Sequence, residues 1–192
     1  MHHIFHTKGI VVGGRAVSDR ARTYRIFTRE HGMMYTRAEG VRTPASKLKA
    51  SLVDFSCGAY ACVKGKHDWK LVNAVAECNF FFESDTASRA VLARATRLLV
   101  RLVPGEEPNV QLYDIFENGC KALVAGVPRE SLPAFECGLV LQMLSCLGYI
   151  GALETISPYL LEPFTPESLK NIALIRSQAL LEINRALKAS NL

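Results

Sequence analysis

The sequence contains no apolar run long enough to cross a bilayer, and Met1 to Gly14 carry no charged-then-apolar leader. Both absences lead us to expect a soluble, cytoplasmic protein with no membrane partner. The six cysteines, Cys57, Cys62, Cys78, Cys120, Cys137 and Cys146, never form a Cys-x-x-Cys pair and stand singly in apolar segments. That pattern reads as reduced core thiols, not as a disulfide frame or a zinc site. There is no internal repeat and no low-complexity segment. A hydrophobic fraction of 49% is too high for a disordered chain, and 192 residues suffice for one sizeable core or two small ones.

What the chain does have is asymmetric charge. The formal net charge is +5, but residues 1–70 carry +8 and the remainder −3. This predicts a basic first domain with a polyanionic partner and a second domain with a different task. The stretch Thr23 to Ser51 concentrates the pattern. Arg22, Arg25, Arg29, Arg37, Arg42, Lys47 and Lys49 lie in or beside it, interleaved with Tyr24, Ile26, Phe27, Met34 and Tyr35. Such interleaving fits a half-buried antiparallel sheet whose chemistry is attraction for phosphate.

Five strands are predicted. Ile4 to Val12 is β-branched and is expected to break at Gly13-Gly14, and Arg22 to Thr28 closes at a hairpin where Gly32 supplies positive φ. Met33 to Val41 returns. Pro44 then forces a loop that carries Arg42, Lys47 and Lys49 into water, before Leu52 to Val63 and Trp69 to Glu77. Five short strands with one long connection suit a small barrel of the OB type.

From Ser84 the period becomes helical. Ser84 or Asp85 caps a helix that ends at Pro104-Gly105, a second runs from Asn109 to Ala125 before Gly126, and a third from Leu132 to Leu147 before Gly148. At most a short helix is expected between Gly151 and Pro158. Thr165-Pro166 opens a long final helix to Ala189. The expected architecture is therefore α+β: a five-stranded OB barrel over residues 1–80 and an all-helical domain over residues 81–192.

Several phrases also match a known family: Thr7-Lys8-Gly9-Ile10-Val11, Ser18-Asp19-Arg20, Phe27-Thr28-Arg29-Glu30-His31-Gly32, and Ala38-Glu39-Gly40-Val41-Arg42 with Ser46-Lys47-Leu48. In the second half they are Leu102 to Asn109, Leu112-Tyr113 and Leu147-Gly148-Tyr149. In these the chain resembles the RecO family of bacterial recombination mediators. The resemblance implies a protein that binds single- and double-stranded DNA and anneals complementary strands, including strands coated by single-strand-binding protein. It further implies action with RecR to load RecA, and no bond-breaking enzyme activity. Many members carry a four-cysteine zinc motif after the segment equivalent to Leu147-Gly148-Tyr149. Here Ile150 to Phe164 is short and cysteine-free, so no structural zinc and no other cofactor is expected.

Arg37, Arg42, Lys47 and Lys49 are the expected DNA contacts, within a field of Arg20, Arg22, Arg29, Lys64 and Lys66. Tyr24, Tyr35, Tyr60 and Trp69 are candidates for stacking on unpaired bases, against the plainer reading that they fill the barrel. A groove formed by Leu139, Val140, Met143, Leu144 and Leu147 with Tyr149, and Arg94, Arg97 or Arg101 to meet carboxylates, would suit the tail of single-strand-binding protein. The competing reading makes these apolar residues bundle core.

Three alternatives remain open. His2, His3 and His6 resemble a ragged metal cluster without an acidic or cysteine partner, against the plainer reading that they flank the first strand. Cys57 or Cys62 with His67 could be a thiol nucleophile and base, although no third group orients them. An OB module that only covers single strands, without annealing them, would also fit.

Overall fold

The computed structural model describes residues 3–44, 46–66, 68–151 and 163–189. The predicted short helix after Gly151 falls largely on residues outside that set, as do His2 and His67. The chain divides into two compact units, residues 1–83 with 103–113, and residues 84–102 with 114–192.

In the first unit β1 (Ile4–Ala16), β2 (Arg22–Thr28), β3 (Gly32–Ala38), β4 (Ser56–Lys64) and β5 (Trp69–Asn79) close into a barrel in the order β1-β2-β3-β5-β4. All neighbours are antiparallel except β3 and β5, which pair in parallel through Thr36 with Trp69 and Arg37 with Lys70. This is the five-stranded OB arrangement. Strand alternation explains the core: Tyr24 and Ile26 of β2 and Met34 of β3 are buried, as are Tyr60, Cys62, Trp69 and Leu71. Gly32 takes the expected positive φ, +64°, at the β2–β3 hairpin.

Three strand ends differ from expectation. β1 does not stop at Gly13-Gly14 but passes through them to Ala16, because a bulge between Val11 and Gly13 absorbs the irregularity, with Gly13 at φ +141°. β3 ends at Ala38, where Gly40 at φ +67° turns the chain. Leu52 belongs to a 3₁₀ turn over Ala50–Leu52, so β4 begins only at Ser56. Between them Phe55 holds a positive φ of 69° and stacks on Phe81, with ring centroids 5.5 Å apart. The short helix α1 (Phe80–Glu83) follows β5, with Asn79 Oδ1 accepting from the Phe81 and Phe82 amides. The 103–113 segment packs on the barrel: Met33 donates to the Gly105 carbonyl at 3.0 Å, and Tyr113 lies 5.5 Å from Phe27.

In the second unit α2 (Thr86–Leu102) is capped by Asp85, whose Oδ1 accepts from the Ala87 and Ser88 amides at 2.7 and 3.1 Å. The C-terminal part of α3 (Val110–Ala125) ends at Gly126, φ +100°, and α4 (Leu132–Cys146) at Gly148, φ +76°. In α5 (Pro166–Ala189) Thr165 and Ser168 cap each other reciprocally. Glycines allow close helix packing. Any Cβ at Gly119 would meet Leu139 Cδ1 at 2.8 Å, and one at Gly138 would meet Ile172 Cδ1 at 2.8 Å. No described helix is long and apolar enough to cross a membrane.

Candidate nucleic-acid interface

Two loops of the barrel build the site. In residues 17–21, between β1 and β2, the Ser18 hydroxyl accepts from the Ala21 amide at 3.1 Å and from the Arg20 amide at 3.4 Å. The β3–β4 connection is a chain of turns in which Thr43 donates to the Gly40 carbonyl through both its amide and its hydroxyl. Arg42 joins the two loops. Its amide donates to the Arg20 carbonyl at 3.4 Å and its Nη1 to the Ser18 carbonyl at 2.7 Å.

Beside this junction a cavity of about 410 Å³ is lined by Arg22, Tyr24, Arg42, Lys49 and Asp54, with Val41, Leu52 and Val53 as its apolar wall. Among the described residues, three cations far apart in sequence thus share it with a single carboxylate. Arg22 lies over Tyr24, its Cζ 5.3 Å from the ring centroid, and its Nη2 donates to the Gly14 carbonyl at 3.1 Å. Its Nε is buried with no hydrogen-bond partner. Leaving such a donor unmatched costs ~1–3 kcal/mol. Burial raises the Tyr24 phenol above its ordinary value, against the opposing pull of Arg22.

The other expected DNA contacts distribute as follows. Arg20 is exposed on the first loop, and Lys47 on the second. Arg37 faces outward on β3 and pairs with Glu39 at 2.6 Å. Both partners are largely exposed, so the pair contributes ~0.2–1 kcal/mol and a phosphate can compete for the guanidinium. Arg29 belongs to the β2–β3 hairpin, at the opposite end of β2 from Arg22. Lys64 lies toward that hairpin too: it stands 5.2 Å from the ring of Trp69, which meets His31, and 3.3 Å from Glu106. Lys66 is exposed in the β4–β5 turn. None of these last three lines the cavity.

Sequence reasoning passed over Arg15 and Lys70 and gave Arg25 no role beyond the basic stretch. Arg25 and Thr23 alternate with the buried Tyr24 and Ile26, so period two on β2 already sent them outward. On the outer face Thr23 lies across from both Arg15 and Arg37, and Arg37 beside Lys70.

Other expectations need correction. Tyr24, Tyr60 and Trp69 are 5%, 1% and 2% exposed and belong to the barrel core, so none can stack on a base, whereas Tyr35 is 40% exposed. Leu139 and Met143 are fully buried between helices and cannot line an open groove. Arg94 is held by a bidentate pair to Glu136, both bonds 2.6 Å, while Arg97, Arg101 and Tyr149 are exposed. Cys57 and Cys62 are buried, and burial pushes the Cys62 thiol up to about 12, the reverse of what a nucleophile requires. No group of three or more metal-ligating side chains occurs among the described residues.

Comparison with known proteins follows the same division. Residues 1–76 match the family described as "Recombination protein O N terminal". The chain is similar to the DNA repair protein RecO of Pelotomaculum thermopropionicum, 25% identical over 159 residues that cover 80% of this chain and 59% of that one. It is also similar to the RecO proteins of Desulfitobacterium hafniense, at 27% identity covering 76% and 52%, and of Caldanaerobacter subterraneus subsp. tengcongensis, at 23% covering 78% and 60%. The matched region thus spans between 52% and 60% of these relatives' length.

Proposed function

We propose that the chain is a RecO-family protein, on the match of its residues 1–76, and that it binds single- and double-stranded DNA through the loop end of its OB barrel and anneals complementary strands during recombinational repair. The observation that carries the reading is the cavity shared by Arg22, Arg42 and Lys49, three cations brought together from β2 and the β3–β4 connection. Phosphate oxygens suit that site, and Arg20, Lys47 and Arg37 extend the positive field along a backbone.

Charge neutralisation gives the mechanism. Two complementary strands repel through their phosphates, and cations that cover one strand lower the cost of bringing up the second. Contacts confined to the backbone leave base edges free to pair. On family grounds the protein would also act with RecR in loading RecA and engage the tail of single-strand-binding protein. Exposed Arg97, Arg101 and Tyr149 are the candidate contacts that remain for that tail.

The test is annealing of two labelled complementary oligonucleotides, naked and then coated with single-strand-binding protein. Acceleration of both that fades with salt is expected. Binding without acceleration would leave only a strand-covering module, and no binding would overturn the reading.

A further inference from the structure

The start of β4 and the end of β5 bring two cysteines opposite each other. Cys57 is the direct antiparallel partner of Cys78, with the pair Ser56 and Asn79 on one side and, on the other, a bulge that inserts Glu77 before Ala76 pairs with Gly58. Directly opposed residues of antiparallel strands share one face of the sheet, with Cα atoms about 4.5 or 5.5 Å apart. A disulfide requires roughly 4.4–6.8 Å between Cα atoms, so either kind of pair falls within range. Both residues are thiols in this structure, Cys57 buried and Cys78 half-buried.

The surroundings hold the pair in register. Asn79 Nδ2 donates to the Ser56 hydroxyl oxygen at 3.0 Å and to the Asp54 carbonyl at 3.1 Å, and the Phe80 amide donates to the Phe55 carbonyl at 3.2 Å. On the other side β4 and β5 approach so closely that a Cβ on Gly58 would run into the Val75 carbonyl oxygen. Cys62 cannot take the place of either partner. It lies across from Leu71, five residues further along β4, or about 16 Å at the rise of a strand.

We propose that Cys57 and Cys78 form a reversible thiol–disulfide site, a latch that small disulfides of the glutathione class close and the corresponding thiols open. Cys78 is the point of entry because it is the more accessible of the two. Its thiolate attacks one sulfur of glutathione disulfide, which expels a glutathione thiolate and leaves a mixed disulfide. The Cys57 thiolate then attacks the Cys78 sulfur and expels the second glutathione. The two protein thiols give up two protons and two electrons, and the glutathione disulfide takes them up as two glutathione thiols. The bridge fastens β4 to β5 beside Val53 and Asp54, which wall the cationic cavity. By restricting the unfolded chain it stabilises the barrel. This chemistry does not depend on the DNA-binding reading.

The experiment equilibrates the full chain in glutathione buffers of rising disulfide content, traps thiols with iodoacetamide in urea, and maps peptides without reduction. Wild type should lose two of its six thiols to one bridge that joins Cys57 to Cys78, and excess glutathione should reopen it. Cys57→Ser should stop at a glutathione adduct on Cys78, Cys78→Ser should form neither adduct nor bridge at this site, and Cys146→Ser should still close the latch. Oxidation should raise the urea midpoint reported by Trp69 in wild type and leave it unchanged in Cys78→Ser. Cys78 is half-buried, so that variant keeps the comparison informative even if Cys57→Ser fails to fold. A glutathione adduct that persists on Cys78 in wild type, a bridge to any other cysteine, or all six thiols surviving at high glutathione disulfide would overturn the proposal. So would a bridge that forms only when urea is present during oxidation.

Discussion

Gly32 stands against Glu107 so closely that a Cβ would run into the Glu107 carbonyl oxygen and lie 2.9 Å from its carbonyl carbon and amide nitrogen. The hairpin of the barrel and the segment 103–113 thus meet backbone to backbone, fastened by the bond from Met33 to Gly105.

Gly32→Ala should therefore destabilise the barrel by more than the ~1–3 kcal/mol that positive φ alone costs a residue with a side chain. Gly40→Ala supplies the comparison, since Gly40 has a similar φ of +67° but nothing within 4 Å of its Cβ. Trp69, the one tryptophan of the chain, sits in the barrel core and reports its unfolding in urea. Equal losses in the two variants would show that Glu107 does not abut the turn.

Acid should act on the helical unit through Asp85. The Ser88 hydroxyl and the Ser88 and Ala87 amides all donate to its carboxylate and hold its pKa below the ordinary 3.8. A depressed folded value means that the stabilisation is fully present above about pH 3.8 and is lost as pH falls through the lower folded value. Asp85→Asn keeps a capping side chain but removes this titration. The variant should lose helical circular dichroism less steeply than wild type below pH 3.8, and superimposable acid transitions would contradict the assignment.

Thiol chemistry offers a further check. Cys62 is buried, with its pKa pushed to about 12 by desolvation. Iodoacetamide at pH 7.5 should leave it unmodified in the native protein and alkylate the half-buried Cys78 and Cys146 first, as peptide mapping would show. Rapid alkylation of Cys62 would revive a nucleophilic role for it.

Much of this architecture is written locally. The caps at Asp85 and Thr165, the positive φ at Gly32 and the terminating glycines Gly126 and Gly148 all depend on neighbours within a few residues, and each is where the sequence places it. The misjudged places depend on distant partners. Gly13-Gly14 looks like a break until β2 is seen to lie alongside and a bulge to carry the strand through. Phe55 gives no sign of its left-handed backbone, which turns the chain into β4 and stacks its ring on Phe81.

The site divides in the same way. The basic character of the β3–β4 loop is plain from Arg42, Lys47 and Lys49. That Arg22 shares a cavity with Arg42 and Lys49, and that Arg29 and Lys64 do not, follows from barrel closure. Likewise the burial of Tyr24, Tyr60 and Trp69 follows from strand phase, which sends Tyr35 alone of the four candidate aromatics outward.

The central claim is that Arg22, Arg42 and Lys49 act together as a phosphate site, and its most direct test is DNA affinity as a function of salt in wild type and in the Arg22→Ala, Arg42→Ala, Lys49→Ala variant. Loss of three phosphate contacts should lower affinity irrespective of sequence. The slope of log affinity against log salt should become shallower by about 2 on single strands and by nearly 3 on duplex. A folded variant that keeps both the affinity and the salt slope of wild type would contradict the account.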